Sequence, residues 1–251
     1  VGQWRTPAMD PMQVVSGPVG REPVHYEAPP AGKLNAEIRT FLAWFNGKQT
    51  VDGVLKAAVA HLWYVTIHPF EDGNGRIARA IADMALARSE DSAQRFYSMS
   101  AQIRIERKAY YDALEATQKG GLDITNWLEW FIGCLGRAFD GAETILESVL
   151  GKARFWERHG GEQFNQRQRK VLGRLLDDFQ GMLTSSKWAA LGKCSQDTAS
   201  RDIDDLVNRG ILVKDAAGGR STSYSLVAVP EAELPALAAE QVRDTLGRVR
   251  R

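Results

Sequence analysis

Between positions 68 and 79 the chain reads His68-Pro69-Phe70-Glu71-Asp72-Gly73-Asn74-Gly75-Arg76-Ile77-Ala78-Arg79, and these residue types in this order suit phosphoryl chemistry. Pro69 biases His68 away from helical backbone and so ends a helix there. Gly73 and Gly75 permit positive φ values that turn consecutive backbone N–H groups toward one point. A helix starting at about Asn74 or Gly75 adds its own unpaired N–H groups and the positive end of its dipole. A phosphate is the natural occupant of such a nest. Asp72 offers the hard oxygen that Mg²⁺ takes beside phosphate oxygens. Arg76 and Arg79 leave one side of the first helical turns and can fork onto phosphate. His68 belongs to the residue type whose ordinary pKa suits removal of a proton from an attacking hydroxyl. Alone, Gly-Asn-Gly is a turn, His-Pro a helix stop and the arginine pair a solvated face. Together they supply the base, the metal site and the cations that an in-line displacement needs.

The elements that must position this loop are mostly helical. Met12–Ser16 and Pro23–Glu27 flank the turn-forming Gly17-Pro18-Val19-Gly20 and predict a β-hairpin over about 12–27, followed by the extended Ala28-Pro29-Pro30. Leu34, Ile38, Phe41, Leu42 and Phe45 recur at helical spacing up to the stop Asn46-Gly47. A second helix is expected from about Val51 to Ile67. Further helical patterns cover Arg76–Arg88, Ile103–Gln118 and Ile124–Phe139, with a continuation to about Arg158. His159-Gly160-Gly161-Glu162 breaks the periodicity and is the expected domain boundary.

The string from His68 to Arg79 resembles the signature HPFx[DE]GNGRxxR of the Fic family at every specified position, and the resemblance extends over roughly residues 1–158. It implies a mainly α, Fic-type helical bundle with a small β-hairpin flap. The activity it implies is transfer of AMP from ATP, with Mg²⁺, onto a Tyr, Thr or Ser hydroxyl of a target protein. His68 would deprotonate that hydroxyl, Phe70 would anchor the loop in the core, and Asp72 would hold Mg²⁺. Gly73, Asn74 and Gly75 would form the anion hole, and Arg76 and Arg79 would bind the outer phosphates. The hairpin at Val24, His25 and Tyr26 would dock an extended target segment by strand addition, and Tyr110 and Tyr111 are candidates to border the nucleoside. A related branch that transfers the γ-phosphoryl group has Lys where this chain has Gly75, so Gly75 favours AMP transfer; phosphocholine transfer, a rarer variant, is neither supported nor excluded.

Many Fic proteins also resemble one another in an inhibitory helix, [ST]xxxE[GN], whose Glu pairs with the second motif arginine, here Arg79. No Glu in residues 1–251 is followed by Gly or Asn. Either the chain lacks this brake or, as its start at Val1 rather than Met favours, such a helix lies upstream, and the chain as given is expected to modify itself with ATP and Mg²⁺ more readily than a longer form. Hydrolytic removal of AMP, which leans on that Glu, ranks below transfer.

Past the boundary, residues 159–229 predict a winged helix-turn-helix. Three short helices, Gln166–Phe179, Ser186–Leu191 and Ser195–Arg209, precede two β-like runs, Ile211–Lys214 and Ser223–Val227, around a Gly-rich tip. Ser195 is placed to cap the last helix, with Ala199, Ile203, Leu206 and Val207 as its buried stripe. Gln196, Thr198, Ser200 and Arg201 near its start, and Arg220 at the wing tip, are candidate contacts to DNA or to a protein partner. Asp197, Asp202, Asp204 and Asp205 make the same helix acidic and oppose a DNA backbone. Docking, including homodimerisation, stands beside DNA binding. Residues 230–251 read as an amphipathic helical tail.

Composition sets the outer bounds. The 251 residues are 44% hydrophobic and 25% charged with a net charge of +1, which suits a globular chain and gives no global attraction to polyanions. Cys134 and Cys194, without CxxC spacing, argue against disulfides or thiolate zinc and for a reducing, cytoplasmic setting. No apolar run suggests a membrane span or signal peptide. His25, His61 and His159 stand alone as ordinary core or surface residues, and Trp44, Trp63, Trp127 and Trp130 fall on apolar helix faces. The rival to the enzyme reading is a winged-helix DNA-binding regulator whose helical domain senses a nucleotide; an intact base at His68 distinguishes the two.

Overall fold

The computed structural model describes every residue except 1, 19, 49, 91–94, 178, 217–221 and 228–251. Arg220 and the tail expected over 230–251 therefore lie outside the described residues. The fold is mainly helical, with two small antiparallel sheets among the described residues. In chain order the elements are β1 (Gln13–Val15), β2 (Val24–Glu27), α1 (Leu34–Asn46), α2 (Gly53–Ile67), α3 (Asn74–Ser89), α4 (Met99–Ile105), α5 (Arg107–Lys119), α6 (Thr125–Arg158), α7 (Gln166–Leu176), α8 (Ser185–Gly192), α9 (Gln196–Asn208), β3 (Leu212–Lys214) and β4 (Tyr224–Leu226). The helical pattern over Ile103–Gln118 divides at Glu106, whose ψ of 29° separates α4 from α5. Its carboxylate accepts from Arg137 Nε and Nη2 at 2.6 Å each. The expected run through Phe139 to Arg158 is one helix, α6.

The chain divides into two compact units, Val1–Ala142 and Glu143–Arg251, so the division falls within α6. In the first unit α2 and α3 form the most extensive helix pair. Both bury small side chains, Ala57, Ala58 and Ala60 on α2 and Ala78, Ala82 and Ala85 on α3, which lets the two backbones approach closely. The approach is tightest where α2 begins: a Cβ at Gly53 would lie 2.1 Å from Ser89 Cβ. Asp52 caps α2 there, accepting from Val54 N and Leu55 N. The connection between the far ends of this pair is the loop 68–73.

Around the pair, Phe41, Trp127, Phe131 and Leu86 build the first core. His61 is fully buried in it, against Tyr110, Trp127 and Phe131. Burial first, and then the charge of Arg79, pulls its pKa down to about 3, so the imidazole is neutral. Trp127 Nε1 donates to Ala58 O at 2.9 Å.

The second unit has its own core, centred on Trp188, Leu172, Ile203, Leu206 and Ile211. Phe155, counted with the first segment by the sequence reading, packs in it. Asn165 and Gln168 form a capping box at α7, and Thr184 and Ser195 cap α8 and α9. Lys193, at φ 53°, turns the chain between those two helices. β3 pairs with β4 in register Leu212↔Leu226, and Leu183 bridges to Tyr224. The four aspartates of α9 are not equivalent, which corrects the uniform acidity expected of it. Asp202 is buried, and although burial opposes its charge, Arg167 and Asn165 hold its pKa below the usual carboxylate range. Asp205 accepts from Gln168 and Arg209.

In a helix interior an alanine ordinarily stabilises relative to glycine. At Gly53 the sign reverses: Gly53→Ala is expected to cost about 1–3 kcal/mol through overpacking against Ser89. Adding Ser89→Gly to that variant recovers most of the loss, both read as shifts in urea midpoint.

Candidate active site

The loop is built from the unmet hydrogen bonds of two helix ends. An α-helix leaves its last four carbonyls without intrahelical partners. In α2 the N–H of His68 reaches Tyr64 O at 3.2 Å, but the next residue, Pro69, has no N–H to offer Val65 O. His68 supplies the missing donor with its own ring: Nδ1 lies 3.2 Å from Val65 O. A carbonyl can only accept, so Nδ1 carries the proton and Nε2 is left with a free lone pair. To place its ring there His68 takes φ 50°, ψ 59°, a left-handed conformation uncommon outside glycine. The helix stop expected from Pro69 is present, reached by a left-handed residue rather than an extended one.

The remaining carbonyls are met from the N-terminal segment. Tyr26 Oη donates to Thr66 O at 2.6 Å. Arg5 Nε donates to His68 O at 2.9 Å and Arg5 Nη2 to Ile67 O at 3.5 Å, while Arg5 N donates to Pro69 O at 2.9 Å. Neither role was legible in the sequence, because Arg5 and Tyr26 stand 63 and 40 residues from their acceptors and carry no motif.

At the other end of the loop, Gly73 takes φ 89° and α3 starts at Asn74. Gly75 is helical, which corrects the expectation of a positive φ there. What its missing side chain leaves is room, since a Cβ would sit 3.6 Å from Arg79 Nη1 and 3.9 Å from Tyr110 Oη. The buried Asn74 side chain closes the turn: Oδ1 accepts from Phe70 N at 3.0 Å and Nδ2 donates to Phe70 O at 2.7 Å. The Asn74 side chain is thus committed to the loop and does not cap the backbone N–H groups of Asn74, Gly75 and Arg76. Among the described residues no protein group accepts from these three amides. Phe70 packs against the first core.

Asp72 and Arg76 are exposed and paired, Oδ2 to Nη2 at 2.7 Å, and Asp72 Oδ1 accepts from Gly73 N at 2.6 Å. An ion pair so open to water is weak and readily exchanged. Tyr110 is buried, and its hydroxyl hydrogen-bonds His61 Nε2 at 3.0 Å. Burial raises the pKa of that hydroxyl and the charge of Arg79 opposes the rise, whereas Tyr111 is exposed. The pKa of His68 lies below its ordinary value. Burial is the main cause and the charge of Arg5 adds to it, against the hydrogen bond to Val65, which raises it.

The hairpin forms with a bulge at Val14/Val15. Val24 is exposed. The hydroxyl of Tyr26 faces α2, and burial pushes its pKa up to about 12. His25 bridges Ser16 Oγ and Glu115 Oε2, each at 2.6 Å, and so ties the flap to α5. In the second unit Gln196 and Arg201 are exposed at the start of α9, with Gln196 Nε2 donating to Ser185 Oγ, while Thr198 and Ser200 are half-buried.

No group of three or more His, Cys, Asp or Glu side chains that could hold a metal ion occurs among the described residues. Mg²⁺ bound with a nucleotide does not require one. A single carboxylate beside phosphate oxygens and water completes its shell, and the exposed Asp72, next to three unpartnered amides, fits that need. No described helix is long and apolar enough to cross a membrane, and both cysteines are free.

Residues 2–86 match the Fic/DOC family model, a stretch that contains Arg5, the hairpin and the loop. A protein adenylyltransferase Fic from Aedes aegypti is 33% identical over 114 residues, covering 45% of this chain and 21% of that protein. A probable protein adenylyltransferase from Aquifex aeolicus (strain VF5) is 30% identical over 124 residues, covering 49% of this chain and 34% of that protein. The matches thus span between a fifth and about a third of these relatives' length. A solved Fic family protein from Desulfovibrio desulfuricans G20 is 19% identical, with a TM-score of 0.46, 84% of this chain covered and 60% of that one.

The loop geometry makes a prediction for Asn74. Asn74→Ala leaves both polar groups of the Phe70 peptide without partners and is expected to lower stability by about 1–3 kcal/mol, measured by urea denaturation. A change under about 0.3 kcal/mol would show that the loop does not depend on this side chain.

Proposed function

We propose that this chain is a protein adenylyltransferase, moving AMP from ATP to a Tyr, Thr or Ser hydroxyl of a target protein. The observation that carries the reading is the adjacency of three unpartnered amides at the start of α3 and an imidazole whose Nδ1 is already committed to Val65 O. The amides of Asn74, Gly75 and Arg76 would receive phosphate oxygens, favoured by the helix dipole. Arg79, and Arg76 once released from Asp72, would fork onto the outer phosphates. Asp72 would hold Mg²⁺, which when bound neutralises phosphate charge and fixes the polyphosphate conformation.

The proton then has one place to go. The target hydroxyl gives it to His68 Nε2, the hydroxyl oxygen bonds to the α-phosphorus, and the bond to the bridging oxygen breaks to release pyrophosphate. The lowered pKa of His68 keeps Nε2 unprotonated at neutral pH. The open hairpin edge and the exposed Val24 would receive an extended target segment, with Tyr26 contributing backbone.

We read the second unit as a winged helix-turn-helix, on the order α7, Leu183 bridge, α8, α9, β3, β4. Its exposed α9 face carries Arg201 against Asp197 and Asp204, a balance that suits a protein partner better than a phosphate backbone.

His68→Ala is expected to reduce AMP transfer by about 10²–10⁴-fold while ATP affinity stays within about two-fold, measured by mass spectrometry and calorimetry; an undiminished adduct would favour a nucleotide sensor. Transfer by the unaltered chain should hold steady from pH 8 down past the ordinary imidazole value of about 6.5 and fall only in more acid buffer. A fall already complete at neutral pH would contradict the base assignment. For the second unit, a low-salt gel shift is expected to show no saturable DNA binding; binding that weakens steeply with salt and is lost in Arg201→Ala would reverse that choice.

A further inference from the structure

Arg5 combines features that stability alone does not explain. Its side chain is fully buried, and removing a guanidinium from water is costly unless every donor is met. Each of its three nitrogens has a partner, but from an unusual set. Nη1 pairs with Asp10 Oδ1 at 2.8 Å, Nη2 donates to Pro29 O and Ile67 O, and Nε donates to His68 O. The backbone N–H of the same residue donates to Pro69 O. Three consecutive carbonyls, those of Ile67, His68 and Pro69, thus converge on one residue. Asp10 is held in turn, since its Oδ2 accepts from Ala31 N at 2.9 Å. A buried ion pair contributes little net stability compared with apolar side chains of the same volume, so the stability of the first core does not account for a cation here.

What the cation holds is the backbone of His68. A left-handed residue other than glycine costs about 1–3 kcal/mol and persists where its surroundings fix it. Here the peptides on both sides of His68 are fixed by Arg5, and the conformation they enforce is the one that aims Nδ1 at Val65 O and turns Nε2 away from it.

We propose that Arg5 is a positioning residue for His68: by gripping the carbonyls of Ile67, His68 and Pro69 it holds the left-handed bend that commits Nδ1 to Val65 and leaves Nε2 free to accept the proton of the target hydroxyl. This rests on the adenylyl-transfer reading for its effect on rate, but not for its effect on the imidazole. Lysine keeps the charge but has three donors on a single nitrogen, too few for the three carbonyls and one carboxylate that the guanidinium meets from three nitrogens, and Asp10→Asn weakens the anchor while keeping its shape.

The test uses the full chain carrying Arg5→Met, Arg5→Lys or Asp10→Asn, each checked for folding by thermal melting. In the unaltered chain, long-range ¹H–¹⁵N spectra at pH 8, with His68→Ala supplying the assignment, are expected to show His68 as the Nδ1–H tautomer alone. The Arg5 variants are expected to show a mixture with Nε2–H, together with at least about a ten-fold drop in kcat for AMP transfer and a KM for ATP within two-fold of the unaltered chain. Asp10→Asn is expected to move both in the same direction by less. Should Arg5→Met fail to fold, Arg5→Lys and Asp10→Asn carry the comparison. A pure Nδ1–H signal in the folded variants, an undiminished kcat, or a fall in ATP affinity that matches the fall in kcat overturns the proposal. If the unaltered chain transfers no AMP, the adenylyl-transfer reading fails and the tautomer measurement alone decides the role of Arg5.

Discussion

A helix that ends at Ile67 must find partners for its last carbonyls, and Pro69 removes one of the amides that would ordinarily serve. The rest of the site follows from how that shortage is met. Val65 takes the ring of His68, Thr66 takes the hydroxyl of Tyr26, and Ile67, His68 and Pro69 take Arg5. Because a carbonyl only accepts, this capping arrangement also selects the tautomer of the imidazole. The hydrogen bond that helps end the helix also leaves Nε2 of His68 without a proton.

The opposite shortage holds at the start of α3. There the first amides lack acceptors. The side chains of the loop go elsewhere: Asn74 closes onto Phe70, and Asp72 turns to Gly73 and Arg76. Unmet donors on one side of the loop and a free nitrogen lone pair on the other are then held a few residues apart by the pairing of α2 with α3. That pairing can be close because both helices present alanines, and because Gly53 carries no side chain where Ser89 crosses it.

The hairpin and the second unit illustrate how one segment serves two purposes. Tyr26 lies in a strand of the hairpin, yet its hydroxyl caps α2, so the same segment also holds the helix end beside His68. In α9, Asp202 and Asp205 look in one dimension like surface acids. In three dimensions they receive Asn165, Arg167 and Gln168 from the start of α7 and Arg209 from the end of α9, and the helix presents less negative charge than its composition implies.

Most of the helices, the hairpin, the cap at Ser195 and the loop between α2 and α3 were legible in the residue order, because each is a local consequence of periodicity, proline, glycine or a short polar side chain. The string from His68 to Arg79 was legible for the same reason, since its parts lie within one turn of one another. Tertiary structure decided what depends on groups distant along the chain: that Arg5 grips the loop, that Tyr110 pairs with His61 in the core, and that Gly75 provides space rather than a bend. No local pattern marks such roles, because a buried arginine or tyrosine acquires its partner only when the chain brings together residues many turns apart.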